Sequence, residues 1–329
     1  MNPRRLDRGQ REETMTLRKT LLFASVLAAL ATTAIAQEKI KVAIGQRQVW
    51  DSQVVPLGVE AGIFKKHGLE VDITWTAGGA ETLQAVLTGS VDYALTNGVE
   101  GVLAAYAKGA PVRIIGSEMR GAGDIYWYVK ADSPIKSLKD ADGKTMTFSR
   151  PGSSSHLTAQ QIAAKMGVTP KFVSTGAMPA TRTQLVSGQI DIAWAAVPFA
   201  LDAIKKGAFR IVARGSELAE LNNVSIRVNV TTDKFLKERP KAAQGFSRAY
   251  AESVEWMYAN IEKSAAYWAN LTKISPEIAK EGIGFYPKER MVPWPISGLD
   301  HSIAEAVKSK RLEKPLTPEQ IKELVVEVK

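Results

Sequence analysis

The chain contains no cysteine among its 329 residues. That excludes disulfides, thiolate metal ligands, a cysteine nucleophile and a lipid carried on an N-terminal cysteine. Histidine is almost as scarce, with His67, His156 and His301 far apart in sequence. Scattered imidazoles without thiolates make a poor zinc site, so neither metal nor cofactor is expected. Neither the phosphate-cradling Gly-x-x-x-x-Gly-Lys-Ser/Thr nor the dinucleotide Gly-x-Gly-x-x-Gly occurs in its required context, and there is no Gly-x-Ser-x-Gly elbow. The apolar run 21–31 has 11 residues, short of the roughly 18–20 that cross a bilayer.

What the chain does have is 45% apolar and 23% charged residues, enough for a large core and about two domains of about 150 residues each. Arg18 and Lys19 precede the apolar run, and Ala34-Ile35-Ala36 follows it. This is the layout of a cleaved secretory signal over residues 1–36, with the true start at Met15 because residues 1–14 are polar and charged. Export without a lipid anchor points to the periplasm of a Gram-negative cell. Cleavage removes six basic and three acidic residues and lowers the formal charge from +9 to +6. The remaining lysines alternate with acids, without the dense basic stripe that a nucleic acid requires.

The mature chain repeats itself. Leu87-Thr88-Gly89-Ser90-Val91-Asp92-Tyr93-Ala94 matches Val186-Ser187-Gly188-Gln189-Ile190-Asp191-Ile192-Ala193 at an offset of 99 residues, and each copy is followed by a Lys-Gly-Ala, at 108–110 and 206–208. Strands alternate with helices on both sides: 39–44 reads as a strand, Val55, Val59 and Ile63 as a helical stripe, and 69–75 as the next strand. The pattern predicts an α/β chain of two doubly wound, parallel lobes joined by two crossover segments, with a ligand cleft between them. The expected lobes are 37–130, 131–222, and a return to the first lobe over 223–329. In that last part Phe246, Ala249, Tyr250, Val254 and Met257 mark a helix packed on lobe one.

Ligands of parallel sheets sit at the carboxyl ends of the strands. Duplication makes two such edges, and if they face each other their loops wall one cleft. One wall then carries Gln46, Trp50, Gly78, Gly79, Thr96 and Asn97, and the other Arg150, Ser153, Ser154, Trp194, Ala196 and Pro198. The turn Ser149-Arg150-Pro151-Gly152-Ser153-Ser154-Ser155-His156 is the strongest local feature. A helix start with free amides attracts an anion, and an arginine grips an oxyanion. Trp50 and Trp194 suit an organic body, while Gly78 and Gly79 let backbone approach it. Capping by Ser153 or Ser154, a turn role for Asn97 and core packing of the tryptophans stand as simpler readings. Asp92 and Asp191, before matching strands, read as structural. Ser155 and His156 are sequence neighbours and point apart on a helix, which argues against a nucleophile and base. No catalytic residue is expected; a secreted hydrolase built from distant carboxylates is the alternative of a different class.

These segments resemble a family. Gly58-Val59-Glu60-Ala61-Gly62-Ile63-Phe64-Lys65-Lys66-His67-Gly68-Leu69-Glu70-Val71, the pair Gly78-Gly79, the first copy of the repeat, Ala107-Lys108-Gly109-Ala110-Pro111-Val112, Asp132-Ser133-Pro134-Ile135-Lys136-Ser137-Leu138-Lys139-Asp140 and Pro151-Gly152-Ser153 are similar to the solute-binding proteins of nitrate, sulfonate, taurine and thiamine-precursor ABC importers. The resemblance covers about residues 38–230. It implies a type II periplasmic binding protein, a monomer that closes on a small molecule and docks on an inner-membrane permease with its cytoplasmic ATPase. It also implies ligand contacts from loops beginning at Gln46, Gly78, Thr96, Arg150 and Ala196. Family members that make a pyrimidine use a cysteine-rich motif, which this chain lacks. The expected guest is a small organic anion, a sulfonate or a taurine-like compound, with an aromatic carboxylate, a pyrimidine-like compound or nitrate as runners-up.

Overall fold

The computed structural model describes residues 37–329; the expected signal segment and the Met15 start lie outside them. Among the described residues no helix is long and apolar enough to cross a membrane.

Among the described residues, ten strands build two sheet regions. They are β1 (Glu38–Gly45), β2 (Leu69–Thr76), β3 (Tyr93–Gly98), β4 (Val112–Arg120), β5 (Ile125–Lys130), β6 (Thr145–Phe148), β7 (Lys171–Ser174), β8 (Ala193–Ala196), β9 (Phe209–Arg214) and β10 (Ser225–Thr232). The first sheet runs β2-β1-β3-β10-β4, with β1 and β2 parallel from Glu38↔Leu69 to Gly45↔Thr76. In the second lobe β8-β5-β9 and β6-β7 are joined through the parallel bridge Met146↔Ile192, giving β7-β6-β8-β5-β9. The two orders match strand for strand.

The repeat recurs at atomic detail. Asp92 accepts from the Lys41 amide at 2.8 Å, and Asp191 accepts from the Thr145 amide at 2.8 Å. Each carboxylate fixes the strand next to its own, the structural role expected of it. Gly89 and Gly188, equivalent in the two copies, both have φ near +75° with open space where a Cβ would stand. Each takes the left-handed turn that ends a helix, a conformation in which other residues are strained.

Two expectations need correction. The lobes are mixed, not wholly parallel, because β10 runs antiparallel to β3 and β4 and β5 antiparallel to β8 and β9. These two strands are the ones that enter each lobe directly from the other, so they arrive against the local direction. For the same reason the first changeover lies at 121–124, before β5, and not at 130–131. The return runs through 215–224, ahead of β10.

The helix Pro240–Ala259 buries Phe246, Ala249, Tyr250, Val254 and Met257 as its periodicity predicts, and Phe246 stacks on Tyr93 at 3.8 Å. The tail also reaches the second lobe: the Tyr286 hydroxyl donates to the Val197 carbonyl at 2.6 Å, and Arg311 meets His156.

Candidate functional site

The carboxyl ends of β1, β3, β6 and β8 converge on one cavity of about 30 Å³. From the first lobe it is lined by Gln46, Gly78, Gly79 and Thr96, and from the second by Ser149, Ser153, Ser154, Ser155, Trp194 and Ala196. Val49, Ile125 and Arg227 complete it. Local geometry depends on close approach. A Cβ on Gly79 would lie 2.0 Å from the Thr96 carbonyl oxygen, and one on Gly45 2.7 Å from Thr96 Oγ1, so only glycine lets the helix Gly79–Leu87 sit against β3. Gly78 precedes that helix, and Ser153 caps the helix Ser154–Met166 by accepting from the His156 amide at 3.2 Å. Two helix N-termini therefore meet at the cavity, one from each lobe, each bringing partial positive charge.

The hydroxyls have a common polarity. Thr96 Oγ1 accepts from the Gly45 amide at 2.6 Å, Ser154 Oγ from Arg227 Nε at 3.1 Å, and Ser155 Oγ from the Ser149 amide at 3.0 Å. Ser155 also lies 3.0 Å from both Ser149 Oγ and Ser153 Oγ. Three hydroxyl protons cannot all be used in two mutual links, so at least one is left to donate elsewhere. Trp194 is 3% exposed and its Nε1 has no partner. A cavity whose hydroxyls already accept from protein, lined by a tryptophan whose indole N–H has no partner, matches a guest that accepts.

The guanidinium at the site is already paired, against two carboxylates. Arg227 is buried between Asp51 and Asp124, at 2.5 and 2.6 Å. Burial works against its charge, but the two carboxylates outweigh it and raise its pKa. Behind Thr96 lies Glu118, which accepts the Thr96 amide; burial first, then Asp51, raise its pKa well above the usual carboxylate range.

Four candidates stand elsewhere. Trp50 is fully buried, its Nε1 on Tyr258 Oη at 3.1 Å and its ring 5.1 Å from that of Trp268; tail aromatics enclose it in the core. Asn97 is spent on structure, donating to the Ala94 and Val228 carbonyls and accepting from Thr82. Arg150 is at the rim, paired with Glu81 at 3.0 Å, so its guanidinium is already engaged by a carboxylate. Pro198 lines a separate hollow of about 240 Å³ with Gln48 and Arg182. The residue that sequence reasoning missed is Arg227. Its signal was a lone charge inside Val224-Ser225-Ile226-Arg227-Val228-Asn229-Val230, a run otherwise suited to a buried strand.

No serine–histidine pair forms here, since His156 Nδ1 faces the Gly152 amide at 3.4 Å and Arg311. Among the described residues no group of acidic residues and histidines could hold a metal ion.

Comparison with known proteins gives three kinds of likeness. The profile of the family described as NMT1/THI5 like matches residues 54–264. A protein of Escherichia coli (strain K12) named for binding aliphatic sulfonates is 26% identical over 274 residues, covering 80% of this chain and 77% of that one. Among solved structures, the alkanesulfonate-binding protein SsuA of Xanthomonas axonopodis pv. citri, bound to MOPS, superposes with a TM-score of 0.73 at 17% identity, over 89% of this chain and 99% of that one. The periplasmic nitrate-binding protein NrtA of Synechocystis PCC 6803 does so with 0.69 at 14%, over 88% and 86%. The fold is that of periplasmic binding proteins.

Proposed function

We propose, from the premise that the chain belongs to the NMT1/THI5-like family, that it is the periplasmic solute-binding component of an ABC importer whose guest carries a small oxyanion, as a sulfonate or a taurine-like compound does. A permease with its ATPase would read the closed form. The observation that carries this reading is the polarity of the cavity. Hydroxyls from both lobes converge on it, each already accepts a hydrogen bond within the protein, and the Trp194 Nε1 has no partner. Leaving such a donor unpaired costs about 1–3 kcal/mol, which a guest oxygen recovers. A guest that touches both lobes stabilises closure by its differential contacts.

Nitrate is the second reading, and the volume favours it: about 30 Å³ holds a bare head group, on the scale at which a water needs about 10–15 Å³. An organic tail would have to hold the lobes further apart. Both readings are separated by thermal unfolding with 1-butanesulfonate, taurine, nitrate, benzoate and a pyrimidine. A guest at 100 times its Kd adds about 2.7 kcal/mol, and stabilisation by the pyrimidine alone would refute an acceptor-only guest. Recovery of chemically altered guest after incubation would replace transport by catalysis, the hydrolase alternative.

A further inference from the structure

Arg227 joins four parts of the molecule. It lies on β10, the strand that returns from the second lobe. One guanidinium nitrogen holds Asp51, in the loop after β1; another holds Asp124, in the 121–124 crossover. The third, Nε, donates to Ser154 Oγ in the first turn of the helix Ser154–Met166. The first two partners keep the guanidinium fixed in lobe one and the hinge. The third belongs to the lobe that must move. The side chain is 6% exposed and lines the cavity.

Two features separate this link from an ordinary buried ion pair. Nη1 and Nη2 are turned to the two carboxylates, and the bond that reaches the second lobe is the one from Nε to Ser154. Moreover, the bond from Nε fills one of the two Ser154 Oγ lone pairs and leaves its proton to donate. We propose that Arg227 is a positioning residue that couples closure to recognition: by filling one Ser154 lone pair as the lobes meet, it orients the Ser154 hydroxyl proton toward the guest. This rests on reading the cavity as the binding site.

The test uses Arg227→Lys, which keeps a cation between Asp51 and Asp124 but has no Nε, together with Ser154→Ala and the double variant. Affinity for 1-butanesulfonate and for nitrate is measured by calorimetry. Each single change should weaken the better probe about tenfold, as expected of one hydrogen bond to a charged group. The double variant should be no weaker than Ser154→Ala alone, because both remove the same link. Multiplying losses, or unchanged affinity in Arg227→Lys, would overturn the proposal. A merely structural arginine would lower the melting temperature and leave the affinity of the folded protein unchanged. Because the chain has no cysteine, spin labels at Lys108→Cys and Lys171→Cys report lobe separation directly, without any guest. Arg227→Lys and Ser154→Ala should each shift that distribution to longer distances, and an unshifted distribution refutes the coupling. If the wild type binds neither probe, the oxyanion reading fails while this distance measurement still decides the role of Arg227.

Discussion

Stability should depend on pH through two residues of opposite sign that share one arginine. Arg311, from the tail, lies 3.2 Å from the Glu100 carboxylate in the first lobe and against His156 Nδ1 in the second. The imidazole stacks on Phe148 at 3.9 Å, and its Nδ1 also faces the Gly152 amide. Burial, then Arg311, lowers its pKa from 6.5 to about 4. Burial raises Glu100 from 4.5 to about 7, opposed by Arg311 and helped by Glu305. The unfolded chain takes up a proton on the histidine below 6.5 and the folded chain only below about 4, so this residue costs stability as pH falls through that interval. The unfolded chain loses the Glu100 proton at 4.5 and the folded chain only near 7, so this residue costs stability as pH rises. Each effect amounts to about 3 kcal/mol at full extent, and between 4.5 and 6.5 their slopes oppose and nearly cancel. Removing one should expose the other. Urea unfolding from pH 4 to 8, taken as differences from wild type so that the other carboxylates drop out, should show Glu100→Gln gaining stability as pH rises and His156→Gln gaining as it falls. Flat difference curves, or two slopes of the same sign, would refute the burial of this pair.

Three substitutions probe the cleft itself. Gly98 has an ordinary φ of −62°, and the atoms a Cβ would meet, at 2.3–2.7 Å, belong to Gly152 and Ser153 across the cleft; Gly98→Ala should therefore block closure, cutting affinity more than tenfold by calorimetry while urea stability changes little. Trp194→Phe removes the unpartnered N–H and shrinks the indole to a phenyl, so affinity should fall about tenfold while the free protein loses some stability to the vacated volume; unchanged affinity would make Trp194 a core residue only. Arg150→Ala should change affinity less than threefold, since half-exposed pairs such as Arg150–Glu81 contribute under about 1 kcal/mol, and a larger loss would return that guanidinium to the guest.

The sequence made the duplication legible because its signals are local. A helix stripe, a left-handed glycine and an acidic residue before a strand recur at Gly89 and Asp92 and again at Gly188 and Asp191, and each acts within a few residues or on the adjacent strand. Strand order within the lobes was less legible. β5 reads as a strand anywhere, but its membership of the second lobe is decided by pairing with residues 65–88 positions later, and nothing in its own periodicity records that partner. The same limit explains Trp50. It sits at a strand end facing a loop, as a cleft residue would, and only the distant Tyr258 and Trp268 turn that position into core.

The site divides along similar lines. Gln46, Gly78, Gly79, Thr96, Ser153, Ser154, Trp194 and Ala196 line the cavity because strand ends and helix starts are readable from sequence, and topology sends them to one edge. Arg150 reads from sequence as a free charge because the Glu81 that engages it is remote in sequence. A buried guanidinium needs carboxylates beside it, and Arg227 has two. Such an arginine brings no spare charge to a guest, but it fixes the direction of every hydrogen bond around it. Under the oxyanion reading proposed above, attraction for the guest falls to neutral donors and the two helix starts, and their direction is set by pairings such as Gly45 with Thr96 and Arg227 with Ser154, across 51 and 73 positions of chain.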